Sequence, residues 1–218
     1  RKGQVRVFDW NDTRGDWILV TTFSGKQRGE AFGSTVSLSA DGSKLGVGSI
    51  KYGGKGVKDA GRVQVYALTS GAKVGEHIVG QARGANFGKS LSLSKNGNRL
   101  AIGSNGGKGS SGEVQVFDLE NDGWTQVGLN LIGDDEKRRF EYLLALSTNG
   151  KRLAIGESGS GNKDYIKVLD WNGVNSTWDQ AGHTITGVLD KGNGGNVALS
   201  TSGRKLAIGA PGRGNGAG

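Results

Sequence analysis

Residues 83–90, RGANFGKS, close as a nucleotide phosphate loop closes: Gly88, Lys89 and Ser90 match the end of G-x-x-x-x-G-K-[ST]. Such a loop works because backbone N–H groups and the N-terminus of a following helix face the phosphates. Here the glycine spacing is one residue short, and the residues after Ser90 alternate as a strand does. Gly107, Gly109 and Gly112 likewise spell G-x-G-x-x-G, but EVQVFDL follows where a helix is required. Both stretches read as turn glycines, and no nucleotide is expected.

Other chemistry-bearing residues are sparse. The two histidines, His77 and His183, fall one register apart relative to the glycines that follow them, so they should sit exposed on opposite sides of their sheets. A shared metal is not expected there. No serine has a base in its sequence context, as nucleophilic catalysis would need. Asp9, Asp118 and Asp170 recur at equivalent places, which suggests a role in turns. With no cysteine in the chain, disulfides and thiolate metal sites are excluded. The expectation is a chain without a catalytic centre or cofactor.

These residues are positioned by a repeat. VSLSADGSKLGVGS, LSLSKNGNRLAIGS, LALSTNGKRLAIGE and VALSTSGRKLAIGA align, with Leu38, Leu93, Leu146 and Leu199 spaced 55, 53 and 53 apart. Each reads as strand, two-residue turn, strand; Asp41-Gly42, Asn96-Gly97, Asn149-Gly150 and Ser202-Gly203 form the turns. A third strand comes from QVRVFDW, RVQVYAL, EVQVFDL and YIKVLDW, and a fourth ends at Gly25, Gly80, Gly133 or Gly187. Four strands in every ~50 residues is the pattern of a β-propeller blade. The 42 glycines serve as turn residues in this reading, since no three-residue period or apolar run of membrane length exists.

The predicted fold is therefore all-β, a propeller of four four-stranded blades forming one domain over residues 1–218. The repeats, of about 54 residues, are circularly permuted across the termini. LAIGAPGRGNGAG followed by RKGQVRVFDW reproduces the internal link LAIGSNGGKGSSGEVQVFDL, so the N- and C-terminal segments are expected to pair within one blade and close the ring. Excision of four units from a longer propeller is the alternative. The absence of methionine, even at position 1, implies a processed or excised chain.

Phe32-Gly33 and Phe87-Gly88 before strand one, with LAIGAP in strand two, make the chain resemble the FG-GAP repeat family, which builds the propeller of integrin α-subunits. The resemblance covers all four units; the third departs at Phe140-Glu141 and the fourth at Gly194-Gly195. It implies a binding role for the loops of one face. The family's calcium loops are not carried over, because the one–two turns are short and hold a single acid, Asp41, where calcium wants six to eight oxygens.

Net charge is +8. The two–three loops, with the segment that leads into the first strand, carry Lys51, Lys55, Lys58, Lys108, Lys163, Arg213, Arg1 and Lys2 against Asp59, Glu157 and Asp164. This face is expected to engage an acidic protein or an anionic glycan or surface, in a non-catalytic binding or scaffolding module or an accessory subunit of a larger assembly. Nucleic acid is disfavoured because only Tyr52 is interleaved with these lysines. No transmembrane segment is present, and peripheral membrane association stays open. Two alternatives remain: a lectin-like or adhesion protein, and a hydrolase with a site in the central channel.

The aromatics read as packing. Phe32, Phe87 and Phe140 should wedge between blades, and Trp17, Trp124 and Trp178 open fourth strands. Asn11 in NDT and Asn175 in NST are glycosylation sequons in equivalent loops, in keeping with a cell-surface, secreted or lumenal location. Expression through a eukaryotic secretory route should give a mass excess that peptide-N-glycosidase removes; an unmodified mass would discard this location signal.

Overall fold

The computed structural model describes residues 1–54, 56–107, 111–133, 139–158, 165–188 and 196–210, with the side chains of residues 139–142 and 157–158 left aside. Among them every regular element is a strand. The chain opens with a hairpin, β1 (Gln4–Asn11) and β2 (Asp16–Ser24). A four-stranded antiparallel sheet follows in the order β3 (Phe32–Leu38), β4 (Lys44–Ser49), β5 (Arg62–Ala67), β6 (Lys73–Val79). The next sheet holds β7 (Ser90–Leu93), β8 (Arg99–Ser104) and β9 (Glu113–Glu120), with β10 (Gly123–Gln126) and β11 (Leu131–Ile132) both paired to β9. The third repeats this plan with β12 (Arg139–Leu146), β13 (Arg152–Ser158), β14 (Tyr165–Asn172), β15 (Thr177–Gln180) and β16 (Ile185–Thr186). A hairpin of β17 (Asn196–Leu199) and β18 (Leu206–Gly209) ends the described chain.

The strands and turns follow the repeat, with one correction. The fourth strand is not continuous: in the second and third sheets it breaks into β10/β11 and β15/β16 around Gly128 (φ 75°) and Gly182 (φ 77°). The same place is irregular in β6 at Gly75 (φ 64°), where the register slips between Val63 and Val65. In β2 the ladder skips Val20, passing from Leu19 to Thr21. A bulge five residues before the closing glycine is thus a shared feature of all four units, hidden because the flanking residues remain apolar and alternating.

Successive sheets pack face to face. Leu91, Leu93, Leu100, Ile102 and Phe117 lie against Val63 and Val65 of the preceding sheet. Leu144, Leu146, Leu153, Ile155 and Leu169 do the same against Ala101, Val114 and Val116. Val197, Leu199, Leu206 and Ile208 repeat it on Ala154, Ile166 and Val168. First strands are accordingly neighbours, β3 of β7, β7 of β12 and β12 of β17. Phe32 and Phe87 are buried at 5% and 2%, the wedges anticipated for them; the side chain of Phe140 lies outside the described set, as do Gly194 and Gly195.

Polar bonds tie each sheet to the next at the one–two turns. Lys44 Nζ donates to Asn96 O (2.7 Å) and Asn98 Oδ1 (2.9 Å), Arg99 Nη1 to Gly150 O (2.9 Å) and Arg152 Nη1 to Gly203 O (3.1 Å). Asp41 N donates to Lys95 O and Lys95 N to Thr148 O. Arg99 and Arg152 also grip Asp118 and Asp170, each with two 2.6 Å bonds. Those aspartates are ion-pair partners across strands, which corrects the turn role read from their position. Arg152 is the first cause holding the Asp170 carboxyl below its ordinary value.

The hairpins β1–β2 and β17–β18 stand as separate two-stranded sheets, and no ladder joins β18 to β1 among the described residues. The pairing expected to close a fourth blade is thus not made among the described residues.

Gly88 carries φ 89°, and a Cβ there would come 2.7 Å from Val63 Cγ2, whereas Gly84 (φ 74°) opens onto free space. Gly84→Ala should cost about 1 kcal/mol from backbone strain alone, and Gly88→Ala about 2 kcal/mol or more because Val63 must also move. Equal shifts in denaturant midpoint would mean that the contact with Val63 is absent. In the first turn Asp41 Oδ1 accepts Ser39 Oγ, Ser43 N and Ser43 Oγ, and the Ser39 hydroxyl is the first cause taking its pKa from 3.8 to about 2. A folded carboxyl held that low adds stability in full above pH 3.8, and this is lost as pH falls toward 2. Asp41→Asn, which copies Asn96 and Asn149, should flatten acid destabilisation across that window in thermal melts. An unchanged acid limb would refute the link.

Candidate functional site

The loop face around the first complete sheet gathers the described part of the basic set. Arg1, Lys2, Lys51 and Lys58 are all exposed. Backbone bonds draw them to the connections that enter first strands: Gly29 N donates to Arg1 O (3.0 Å), Lys51 N to Glu30 O (3.2 Å) and Gly84 N to Lys58 O (3.0 Å). Exposed Lys26, Arg28 and Arg83 lie on those same connections and enlarge the cluster. None of Arg1, Lys2, Lys51 and Lys58 has an ion-pair partner among the described residues. Lys55, Lys108, Lys163 and Arg213 lie outside the described residues, as do Asp164 and the side chain of Glu157.

A buried ion pair anchors this face. Glu30 is 1% exposed; its Oε2 accepts Arg62 Nη2 at 2.8 Å and its Oε1 accepts Gln27 N at 3.1 Å. A buried carboxylate needs such partners, or its desolvation would neutralise it. The Arg62 guanidinium lies 4.3 Å from the centre of the Tyr52 ring, and Tyr52 meets His77 edge-on at 6.1 Å. His77 is therefore half-buried, not exposed as its sequence position implied, while His183 is exposed. Burial first, then the Arg62 charge, lowers the His77 pKa, so the ring is neutral at neutral pH. The Glu30–Arg62 pair escaped the sequence reading. Its signal was two departures from the repeat: Glu30 stands where Ala85 does, and Arg62 where Gln4, Glu113 and Tyr165 do.

Tyr52 and His77 form one wall of a cleft of about 710 Å³, whose other wall is Phe117, Asp122 and Trp124 of the next sheet. Trp124 is held in place by its Nε1–H, which donates to Val74 O at 3.0 Å. The cleft combines aromatic surface with the neutral imidazole and the carboxylates of Glu76 and Asp122. Its polar groups are hydrogen-bonding and acidic, in contrast to the cationic loops beside it.

The other residues singled out in the sequence fall elsewhere. Trp178 is buried beside Trp171 (5.3 Å), as packing requires, and Trp124 is half-buried. Trp17 departs from that reading at 62% exposed, with Trp10 as its neighbour (5.6 Å), because no sheet among the described residues covers that side of β1–β2. Asn11 ends β1 with its Oδ1 accepting Arg14 N, and Asn175 is exposed in the β14–β15 turn. The described residues contain no group of three His, Asp or Glu side chains arranged to hold a metal ion, and no helix long and apolar enough to cross a membrane.

No family model matches the sequence, and no curated protein matches it. Solved structures do. Hydrazine synthase of Kuenenia stuttgartiensis is similar over 93% of this chain and 64% of its own, at 15% identity and a TM-score of 0.58. A putative 6-phosphogluconolactonase of Bacteroides uniformis is similar over 95% of this chain and 57% of its own, at 18% identity and a TM-score of 0.58. The β-propeller domain of the Trilobed protease of Pyrococcus furiosus, described as having an open velcro topology, matches 84% of this chain and 50% of its own, at 13% identity and a TM-score of 0.53. This chain therefore spans less than two thirds of each. At such identities the likeness is one of fold, and it joins the repeated face-to-face sheets in one conclusion: this is an all-β chain of propeller type.

Proposed function

We propose that the chain is a non-catalytic binding or scaffolding module, built of four FG-GAP-like blades, that engages an acidic protein or another anionic surface outside the cell or in an organelle lumen. The observation that carries this reading is the basic loop cluster. Arg1, Lys2, Lys51 and Lys58 are exposed and unpaired among the described residues, yet the backbones of Arg1, Lys51 and Lys58 are bonded to the connections that enter first strands, one of them anchored by Glu30 and Arg62. Charges held on rigid loops, with no internal partner, raise the local concentration of anionic ligands. The FG-GAP assignment rests on Phe32-Gly33 and Phe87-Gly88, and an accessory place in a larger assembly on the same unpaired charge. In this reading β17–β18 supplies the first two strands of a fourth blade and β1–β2 the last two.

A carbohydrate-binding role is the second reading, favoured by the cleft between Tyr52 and Trp124 with its neutral His77. A central-channel hydrolase has less support, since the two most regular acids, Asp118 and Asp170, are already held by arginines.

The chain should be retained on a sulfated polysaccharide resin at low salt and elute steeply as salt rises, because surface charges are screened within about 8–10 Å at physiological ionic strength. Lys51→Glu with Lys58→Glu should weaken retention markedly without changing the melting temperature. Absence of retention at low salt would sink the anionic-partner reading. Selective signal on a neutral glycan array, abolished by Tyr52→Ala, would favour the second.

A further inference from the structure

The cleft between Tyr52 and Trp124 lies within the repeat, and its volume of about 710 Å³ is that of a small-ligand site, roughly 300–1,000 Å³. Trp124 gives it a fixed aromatic surface. A Cβ on Gly75 (φ 64°) would come 2.8 Å from Trp124 Cδ1, so glycine at that place lets the indole lie against β6. The ring's one donor is spent on Val74 O. Half-buried and with its N–H used, Trp124 offers a ligand apolar ring surface and no hydrogen bond.

The polar groups around that ring are mostly free acceptors. Asp122 is exposed, and its carboxylate accepts no hydrogen bond among the described residues. Glu76 has a 96% exposed side chain, approached by His77 Nδ1 at 3.8 Å. Gln81 donates Nε2–H to Val79 O at 3.1 Å, which leaves its side-chain carbonyl to accept. The donors are fewer: the Tyr52 hydroxyl and the N–H of neutral His77. A wall of acceptors is matched by a ligand that donates; sulfate, phosphate or carboxylate oxygens would meet it acceptor to acceptor. Charge points the same way. No lysine or arginine lines the cleft among the described residues. His77 feels Arg62, which Glu30 neutralises, and Lys73 and Lys26, which offset the carboxylates of Glu76 and Asp122. A ligand gains little from a full ionic charge there.

Packing does not require these groups. At the next interface Trp178 stands where Trp124 does, but Leu129, Asn130 and Ser176 replace Glu76, His77 and Asp122. The shared tryptophan belongs to the repeat, and the polar set is particular to this cleft.

On the carbohydrate reading of the cleft, on which this rests, we propose that it takes a neutral saccharide, with the apolar face of one sugar ring on Trp124 and its hydroxyls donating to Glu76 and Asp122. A sugar supplies both halves of the match: C–H groups on one face of the ring and several O–H donors around its rim. Sulfated or carboxylated sugars find their match instead in the exposed cations of Arg1, Lys2, Lys51 and Lys58. The two sites thus sort saccharides by charge.

Salt silences the loops, and indole N–H signals locate the binding. In salt of about 1 M, where charges act within ~3 Å, the isotope-labelled chain is titrated with neutral trisaccharides of glucose, galactose and mannose, with their sulfated forms and with choline. Five tryptophans give five signals, and Trp124→Phe identifies that of Trp124. A neutral trisaccharide should move the Trp124 signal and leave those of Trp10 and Trp17 in place. Glu76→Ala and Asp122→Ala, both at exposed positions, should keep the melting temperature and each raise the dissociation constant about tenfold. An equal or stronger response to the sulfated forms would overturn the neutral class and leave the cleft standing as a saccharide site. A response to choline alone would overturn any saccharide there. No movement of Trp124 with any probe would overturn the cleft reading itself, and full affinity in both alanine variants would overturn the contacts assigned to them.

Discussion

The burial of one sheet face against the next governs this protein. Each sheet presents branched residues from its first and second strands, such as Leu91, Leu93, Leu100 and Ile102, to the preceding sheet. The receiving surface is made by valines of the third strand and a glycine or alanine of the second. A small residue at the centre of the receiving sheet lets the leucines approach closely, which is how large and small side chains fill an interface at interior density. Because no sheet has an internal core of its own, none would be stable alone, and the arc is stable only as a sum of its contacts.

The polar bonds of the one–two turns act on top of that packing. Lys44, Arg99 and Arg152 spend their charge on carbonyls of the following turn, which ties each sheet to the next on this face. On the opposite face Arg1, Lys2, Lys51 and Lys58, among the described residues, are exposed to solvent. Two ends built from the same repeat thus differ in role: one ties sheet to sheet, and the other holds its described cations out to solvent. The Glu30–Arg62 pair links the two roles, since it pins the connection that carries Arg28 and Gly29 and orients Tyr52 toward the cleft.

Departures from the repeat mark what is particular to this chain. Trp17, Val36 and Leu38 obey the repeat in sequence and break it in burial, because no sheet among the described residues covers them. Glu30 and Arg62 break the repeat in sequence and satisfy each other in space. Neither kind of exception can be recognised from one unit alone.

The sequence by itself determined the strands, the tight turns and the identity of the four units, because alternation and Asn-Gly or Asp-Gly turns are local properties of ten or fifteen residues. It also placed Phe32 and Phe87 in the interfaces and collected Lys51, Lys58, Arg1 and Lys2 on one set of loops. Only the tertiary structure decided that the outer strand breaks at Gly128 and Gly182, that Asp118 and Asp170 serve arginines, and that His77 is shielded by Tyr52. It alone left the two hairpins apart. Those outcomes depend on the angle between neighbouring sheets, which is set by contacts between residues some fifty positions apart, such as Arg99 with Gly150, and no local pattern encodes it.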